Sequence, residues 1–131
     1  MLANKVWEGL GQVIGMRVLE NGKLEISGAI MGTMFDGDDF SSTFTYEMEI
    51  KPDGTSYGEI RGFYSTKAGV MGRFKGNGNA ILGPGGSGKH RGALCYFNPP
   101  GKYAYMNGIA CVYEYDVDEN QKIHAIGWEW K

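Results

Sequence analysis

The chain has 131 residues and a net charge of −2, and it contains 22 glycines, 8 tyrosines, 6 phenylalanines and 3 tryptophans. This length suits one domain, residues 1–131, with a hydrophobic core, and it is too short for two. Glycine interleaved with aromatic and β-branched residues excludes a disordered chain and indicates many turns and bent strands. The absence of a Lys and Arg cluster disfavours nucleic-acid binding, although a single groove would still allow it, and we predict no nucleic-acid partner.

Turn signals recur along the chain, and between them apolar and polar residues alternate with a period of two. Asn21-Gly22 is the strongest signal, because both central residues of a type I′ turn need a positive φ. The breaks predict eight strands with these approximate bounds: 5–20, 22–35, 40–51, 55–66, 70–82, 89–97, 103–117 and 122–130. No segment has the 3.6-residue apolar period of a long helix.

Eight hairpin-connected strands fold either into a closed barrel or into a two-sheet sandwich. Closure removes the exposed edges that promote aggregation, and eight strands enclose room for side chains or one small ligand. Several strands carry internal glycines, such as Gly28, Gly32 and Gly108, which permit the sharp bends of a small barrel. The sequence therefore predicts an all-β fold, a single antiparallel eight-stranded barrel.

The segment from Gly83 to Lys89, between the fifth and sixth strands, nearly matches the phosphate-binding P-loop, G-x-x-x-x-G-K-S/T. In that motif a helix follows the loop, and the final hydroxyl holds Mg²⁺. Here His90 takes the final position and a strand pattern follows. We therefore predict a flexible glycine loop, whose backbone N–H groups beside Lys89 and Arg91 offer at most a weak anion site.

Neither the acidic residues nor the histidines have the spacing of a metal site. Asp36, Asp38 and Asp39 lie close together, but an EF-hand needs a different spacing and flanking helices. His90 and His124 are the only histidines, too few for a zinc site made of several histidines. We therefore predict a solvated acidic turn, no metal and no cofactor, and the sequence names no catalytic residue.

Cys95 and Cys111 each lie within an apolar strand segment. They form a disulfide if those strands pair, but two reduced core thiols are favoured, because free cysteine behaves as a small hydrophobe. The N-terminus has no signal-peptide pattern, and no apolar run approaches the roughly 18 residues of a membrane helix. We therefore expect a soluble, cytoplasmic protein with no membrane partner.

Charged and aromatic residues also alternate inside the predicted strands, where one face points to the lumen and the other to solvent. Most of the charges should face solvent. If some face inward instead, a few polar groups within an aromatic pocket would orient a ligand. The candidate ligand-binding residues at such a lumen mouth are Arg61, Tyr113, Glu114 and Trp128.

The last predicted strand has an aromatic pattern of its own. Ile126, Trp128 and Trp130 alternate and therefore share one face, with Glu129 on the other. Exposed together they would form an apolar patch that monomers usually avoid, so we expect them in the lumen or against a partner subunit. Barrel closure requires this strand to pair with the first, where Trp7 can join the same aromatic group.

Four segments carry a resemblance to known proteins. They are GQVIGMRVL at 11–19, GKHRGAL at 88–94, VYEYDVD at 112–118 and GWEWK at 127–131. Together they resemble a group of small, uncharacterised archaeal proteins over nearly the whole chain. The strand count and the glycine-bent pattern are also similar to calycin-like barrels, including the allene oxide cyclase type. The resemblance implies a fold but neither an activity nor a site residue.

The sequence leaves three functions open. The leading hypothesis is a non-enzymatic barrel that binds a small apolar or aromatic molecule, because aromatic residues are abundant and no catalytic set is found. The alternative is an isomerase or cyclase, which would need a lumenal Glu or His with a shifted pKa beside aromatic rings. The third is a structural protein whose outer surface forms a homo-oligomer.

Overall fold

The computed structural model describes residues 2–131, and most of them belong to the strands of one sheet. The strands are β1 (Leu2–Val18), β2 (Leu24–Met34), β3 (Asp39–Ile50), β4 (Thr55–Thr66), β5 (Met71–Leu82), β6 (Gly88–Phe97), β7 (Ala110–Val117) and β8 (Lys122–Trp130). Two short 3₁₀ turns, Pro84–Gly86 and Ala104–Gly108, are the helical elements of residues 2–131. Neither is long and apolar enough to cross a membrane.

The sheet closes on itself, so every strand has two hydrogen-bonded neighbours. The strands follow chain order around the barrel, and β1 pairs antiparallel with both β2 and β8. Closure pairs the two edges of the sheet with each other from Leu2 to Gln12 of β1, which limits pairing with another chain. The predicted all-β, antiparallel, eight-stranded barrel is confirmed, and the sandwich alternative is wrong.

Alternation along each strand separates an inner face from an outer one. The buried inner side chains of β3 show the pattern: Phe40, Ser42, Phe44, Tyr46 and Met48. Rings from other strands meet them edge to face, as where Phe44 and Tyr115 lie 5.5 Å apart at 85°. Such pairs add about 0.5–1.5 kcal/mol to the stabilisation from burial. Most of the lumen is therefore an aromatic core.

The C-terminal strand has its tryptophan face on the outside of the barrel. β8 pairs with β1 as expected, but its inner face holds Ile123, Ala125 and Gly127. The predicted buried pair lies on the outer face, where Trp128 is half-buried and Trp130 is 54% exposed. Of the two places predicted for this face, the lumen is therefore wrong, and burial against a partner subunit stays a prediction.

The physical reason for this orientation is Trp7 of β1, whose indole lies inside the barrel. The ring lies against Gly127, where an added Cβ would collide with it, and its Nε1 donates a hydrogen bond to the Tyr96 hydroxyl. Trp7 thus occupies the space that a larger side chain of β8 would need. By alternation Glu129 follows Gly127 on the inner face, and Ile126 lies half-buried on the outer one.

Replacing Gly127 with alanine is expected to lower the free energy of unfolding by about 1–3 kcal/mol, because the new methyl group would displace the Trp7 indole within a packed core. Gly15→Ala is the matched control, since Gly15 also lies in a strand and an added Cβ there meets no atom within 4 Å. Urea denaturation followed by tryptophan fluorescence compares the two variants. Equal stabilities would contradict this placement of Trp7.

One end of the barrel is closed by the segment between β6 and β7. Tyr103 and Met106 of this segment are almost fully buried. Two asparagines hold it by reciprocal bonds: the Asn98 N–H donates to Asn107 Oδ1 at 2.7 Å, and Asn107 Nδ2 donates to the Asn98 carbonyl at 3.0 Å. Because this segment folds over the barrel end, the seventh strand starts later than predicted, at Ala110.

The acidic turn between β2 and β3 tethers the same closed end. Asp36 pairs with the Lys102 ammonium at 3.0 Å and accepts a hydrogen bond from the Tyr103 hydroxyl at 3.0 Å. Asp38 lies 3.5 Å from the same ammonium. Desolvation alone would raise the pKa of Asp36, but the bonds from Lys102 and Tyr103 hold this pKa below its usual value. The turn is exposed to solvent as predicted, and in addition it binds the segment that closes the barrel.

Both cysteines are free thiols, as the favoured interpretation predicts. Cys111 is buried in the lumen beside the Tyr96 hydroxyl. Cys95 lies on the outer face of β6 and is exposed, so its assignment to the core is wrong.

Candidate functional site

The end of the barrel opposite the closed one leads into a pocket of about 150 Å³, here called the mouth pocket. Most of its lining side chains are apolar, among them Val13, Met16, Leu24, Ile26, Met48 and Val117. Tyr46, His90 and Tyr115 also border it. An apolar cavity of about 150 Å³ in a protein is large enough for benzene. The open end therefore has room for a ligand the size of a single ring.

β1 extends past the end of its partner β8 here, and its hairpin with β2 overhangs the mouth pocket. The pairing of β1 with β8 ends at Gln12, and the register of β1 with β2 shifts between Val13 and Gly15. On the pocket side of the overhang, Met16 is 58% and Val18 is 72% exposed. The entrance thus presents uncovered apolar surface that continues the walls of the pocket.

Three glycines in one cross-strand row, here called the glycine row, make a flat patch on the inner wall. They are Gly58 of β4, Gly78 of β5 and Gly92 of β6. The Tyr46 hydroxyl lies 2.7 Å from the position of a Cβ added at Gly58, and the Tyr113 hydroxyl lies 2.5 Å from one added at Gly78. Since Gly58 and Gly78 are directly paired, the two hydroxyls converge over the glycine row from opposite sides of the barrel.

Four buried polar atoms next to the glycine row have no hydrogen-bond partner within residues 2–131. They are Tyr46 Oη, Tyr113 Oη, Ser56 Oγ and His90 Nδ1, here called the polar cluster. Ser56 and His90 flank Ala80 in the neighbouring row, towards the open end. Buried polar groups are nearly always hydrogen-bonded. A small molecule that brings a polar group to this point would satisfy atoms that the protein leaves unpaired.

The polar cluster is electrically neutral near pH 7. Desolvation lowers the pKa of His90 to about 4, and the nearby Asp116 only partly opposes this. Desolvation also raises the pKa of Tyr46 to about 12 and raises that of Tyr113. The hydroxyls of Tyr46 and Tyr113 are near enough that each shifts the pKa of the other, so both can act on one polar group. The site therefore offers hydrogen bonds but no counter-charge.

Aromatic rings hold the imidazole of His90 in place. It stands edge-on to the Tyr46 ring at 5.3 Å and to the Tyr115 ring at 5.0 Å. Tyr115 also borders a second, inner cavity of about 40 Å³, which is lined by apolar atoms. That volume takes about two or three water-sized molecules. Within the lumen, an organic ligand therefore fits only at the open end, above the packed core.

Of the residues that the sequence proposes for ligand binding, only Tyr113 points into the barrel. Arg61 is exposed on the outer face of β4, and Glu114 and Trp128 are half-buried on the outer face of β7 and β8. Because neighbouring residues of a strand alternate, an inward Tyr113 requires an outward Glu114. The placement of Arg61, Glu114 and Trp128 at a lumen mouth is wrong, and a binding role for Tyr113 stays a prediction.

Sequence reasoning missed Tyr46, Ser56 and His90. The available signal was the isolated glycines inside strands, which mark places where another group approaches the backbone closely. Gly58 and Gly78 do so here, because the Tyr46 and Tyr113 rings lie over them.

The glycine loop that resembles a P-loop forms part of the pocket rim. β6 follows it, so the helix that a P-loop needs is replaced by a strand, as predicted. Gly85 and Gly86 have positive φ values of 67° and 80°. Gln121 Nε2 donates a hydrogen bond to the Gly85 carbonyl at 3.0 Å, which ties the loop to the turn between β7 and β8.

No protein-family model matches the sequence, and no curated protein does. Three solved structures share its fold over almost the whole chain. A protein of unknown function from Clostridium acetobutylicum is 15% identical with a TM-score of 0.73, and the match covers 98% of both chains. A conserved protein of unknown function from Rhodopseudomonas palustris is 10% identical with a TM-score of 0.78, over 98% of this chain and 97% of that one.

The third is a β-barrel-like protein from Acinetobacter baumannii. It is 9% identical with a TM-score of 0.77, over 100% of this chain and 96% of that one. At such identities the likeness concerns the fold alone. The chain therefore shares its antiparallel barrel with uncharacterised β-barrel proteins.

Proposed function

We propose that the barrel binds an uncharged, largely apolar small molecule in the mouth pocket. The observation that supports this most is that Tyr46 and His90, two members of the polar cluster, border an apolar pocket. A ring-sized body would lie against the aliphatic walls, and one hydroxyl or carbonyl group would reach Tyr46, Tyr113 or His90. Tyrosine hydroxyls and a neutral imidazole can each donate or accept, so either kind of group suits them.

The pocket should discriminate by charge. Within residues 2–131 no side chain that lines it is charged at neutral pH, since the pKa of His90 lies near 4. Burying an ion without a partner is costly, whereas a neutral polar group needs only a hydrogen bond. Carboxylates and amines should therefore bind much more weakly than alcohols, phenols or ketones of the same shape.

Three probes of similar size test this proposal: toluene, phenol and benzoate. Phenol is expected to bind about 2–10-fold more tightly than toluene, because one net hydrogen bond contributes about 0.5–1.5 kcal/mol. Benzoate is expected not to bind at concentrations that saturate phenol. NMR titration of ¹⁵N-labelled protein measures the affinities and shows whether the shifted amides surround the mouth pocket.

Two tyrosine variants give the matched comparison. The double variant Tyr46→Phe/Tyr113→Phe should remove the preference for phenol over toluene while toluene still binds. Tyr64→Phe is the control, because its hydroxyl is also buried and unpartnered but lies towards the closed end. An equal loss of phenol preference in the control, or benzoate binding as tight as that of phenol, would contradict the proposal.

A second candidate function is an isomerase or cyclase that uses the same pocket. It is favoured by His90, a lumenal histidine with a lowered pKa between two aromatic rings. A molecule that co-purifies with the protein and is then converted to an isomer, but not by a His90→Phe variant, would distinguish this function from simple binding. Recovery of the unchanged molecule would favour binding.

Three finer predictions rest on the sequence alone. They are kinship with archaeal proteins and calycin-like barrels, a cytoplasmic location, and a homo-oligomer. Exposed Trp130 supports the last of these, because a partner subunit would cover its indole. Size-exclusion chromatography with light scattering tests it, and a strict monomer would rule it out.

A further inference from the structure

The outer surface of the barrel carries a groove of about 510 Å³ that is bordered by residues of β1 to β6, here called the basic groove. Its charged lining consists of Arg61, Arg73 and Lys75, and two phenyl rings, Phe63 and Phe97, border it. No carboxylate lines it among the described residues. The chain as a whole has a net charge of −2, whereas the charged residues that line this groove are all cations.

The three cations of the basic groove form no ion pair within residues 2–131. Arg61 lies directly opposite Lys75 across β4 and β5. Like charges in directly opposed positions repel each other and destabilise the sheet. An anion bound between them would relieve this repulsion. No carboxylate of the described residues lines the groove and does so.

The phenyl rings stand beside these cations in a regular arrangement. Phe63, Arg73 and Phe97 lie directly opposite one another on three neighbouring strands. Two strand spacings therefore separate the rings, about 10 Å. Phe63 is 57% and Phe97 is 44% exposed, and the Arg73 and Lys75 side chains lie 5.0 and 5.6 Å from the Phe97 ring centroid.

From this geometry we infer that the basic groove binds single-stranded nucleic acid. Its phosphates would contact Arg61, Arg73 and Lys75, and its bases would stack on Phe63 and Phe97. Cationic grooves with stacking aromatic residues bind single strands with little sequence preference, because every base has a π-face. The inference concerns the outer face of the barrel and does not depend on the proposed function of the mouth pocket.

The shape and the surroundings of the groove favour a chain over other anionic partners. A concave groove encloses a strand, whereas a flat bilayer would reach only its rims. Glu47 and Glu59 oppose each other in the next row towards the open end, outside the groove lining. Their carboxylates would repel phosphates, so the bound strand must run along the side of the groove away from them.

Fluorescence anisotropy of a fluorescein-labelled oligothymidine, titrated with the full-length protein, tests this inference. Three phosphate contacts predict that log affinity falls with log salt with a slope of about −2, so doubling the salt lowers affinity about fourfold. The triple variant Arg61→Gln/Arg73→Gln/Lys75→Gln should abolish binding and its salt dependence. Phe63→Ala and Phe97→Ala should each weaken binding about fivefold or more.

The matched control is Lys23→Gln/Lys51→Gln/Lys67→Gln, which removes three positive charges from turns outside the groove. It should keep the affinity of the wild type within about twofold, because screened charges beyond the groove contribute little. Equal losses in both triple variants, or no binding at low salt, would overturn the inference. Binding to phosphatidylglycerol vesicles without binding to oligothymidine would also overturn it, since it would assign the groove to a membrane.

Discussion

Deleting residues 122–131 should leave an insoluble or molten protein. β8 pairs with both β1 and β7, so its loss opens the barrel along two edges at once. The deletion also removes Ile123 and Ala125 from the core and uncovers the Trp7 indole, which lies against Gly127. Open edges with uncovered aromatic residues promote aggregation. Circular dichroism and a thermal melt of the purified variant measure the result.

The control for this deletion keeps the strand and changes only its exposed face. Trp130→Ala should change the free energy of unfolding by less than about 1 kcal/mol, because this indole is mostly exposed. If the truncated protein instead stays soluble with the melting transition of the full chain, the closed barrel is wrong. If Trp130→Ala unfolds the protein, the orientation of β8 is wrong.

Acid should destabilise the protein through His90. Desolvation lowers its pKa to about 4 in the folded state, whereas an unfolded histidine titrates near 6.5. As the pH falls below about 6.5, the unfolded chain takes up a proton that the folded chain does not, so the free energy of unfolding decreases. The expected loss is about 2 kcal/mol between about pH 7 and pH 5, and it continues until the pH reaches about 4.

Urea denaturation at a series of pH values measures this loss. His90→Phe should flatten the dependence between about pH 7 and pH 5, because phenylalanine fills the aromatic site without titrating. Tyr64→Phe, which changes a buried aromatic residue whose pKa of about 12 lies outside this range, should keep the slope of the wild type. A slope in His90→Phe as steep as that of the wild type would mean that water reaches the imidazole in the folded protein.

The strands and their order are predictable because the signals that define them are local. The chain reverses at Asn21-Gly22 and Asp53-Gly54 as expected, with positive φ at Gly22 and Gly54, but Asn21 lacks the positive φ that the predicted type I′ turn needs. The fourth strand, predicted at 55–66, spans Thr55–Thr66. Closure follows from the same reasoning, since eight sequential strands without a covered edge favour a barrel.

Which face of each strand points inward depends on contacts between distant parts of the chain. Alternation in β8 shows only that Trp128 and Trp130 share a face. That this face is the outer one follows from the Trp7 indole lying over Gly127, a contact between the two ends of the sequence. The closed end also depends on such contacts. Tyr103 is buried there, and a 3₁₀ turn follows it where the sequence predicts a strand.

The polar cluster escapes prediction for a related reason. Tyr46, His90 and Tyr113 come from three strands and meet only because the register aligns Gly58 and Gly78 into one flat row. The sequence proposes Tyr113 as a ligand-binding residue, but the other residues that it proposes lie on the outer face. Register is a property of the folded sheet, and no short motif encodes it.

A crystal structure of the protein soaked with phenol tests most directly whether the mouth pocket is a binding site for neutral molecules. We predict one phenol in the pocket, with its ring against Met48 and Val117 and its oxygen hydrogen-bonded to Tyr46, Tyr113 or His90. Phenol bound only elsewhere on the barrel, or a pocket filled by the protein's own side chains, would contradict the proposed function.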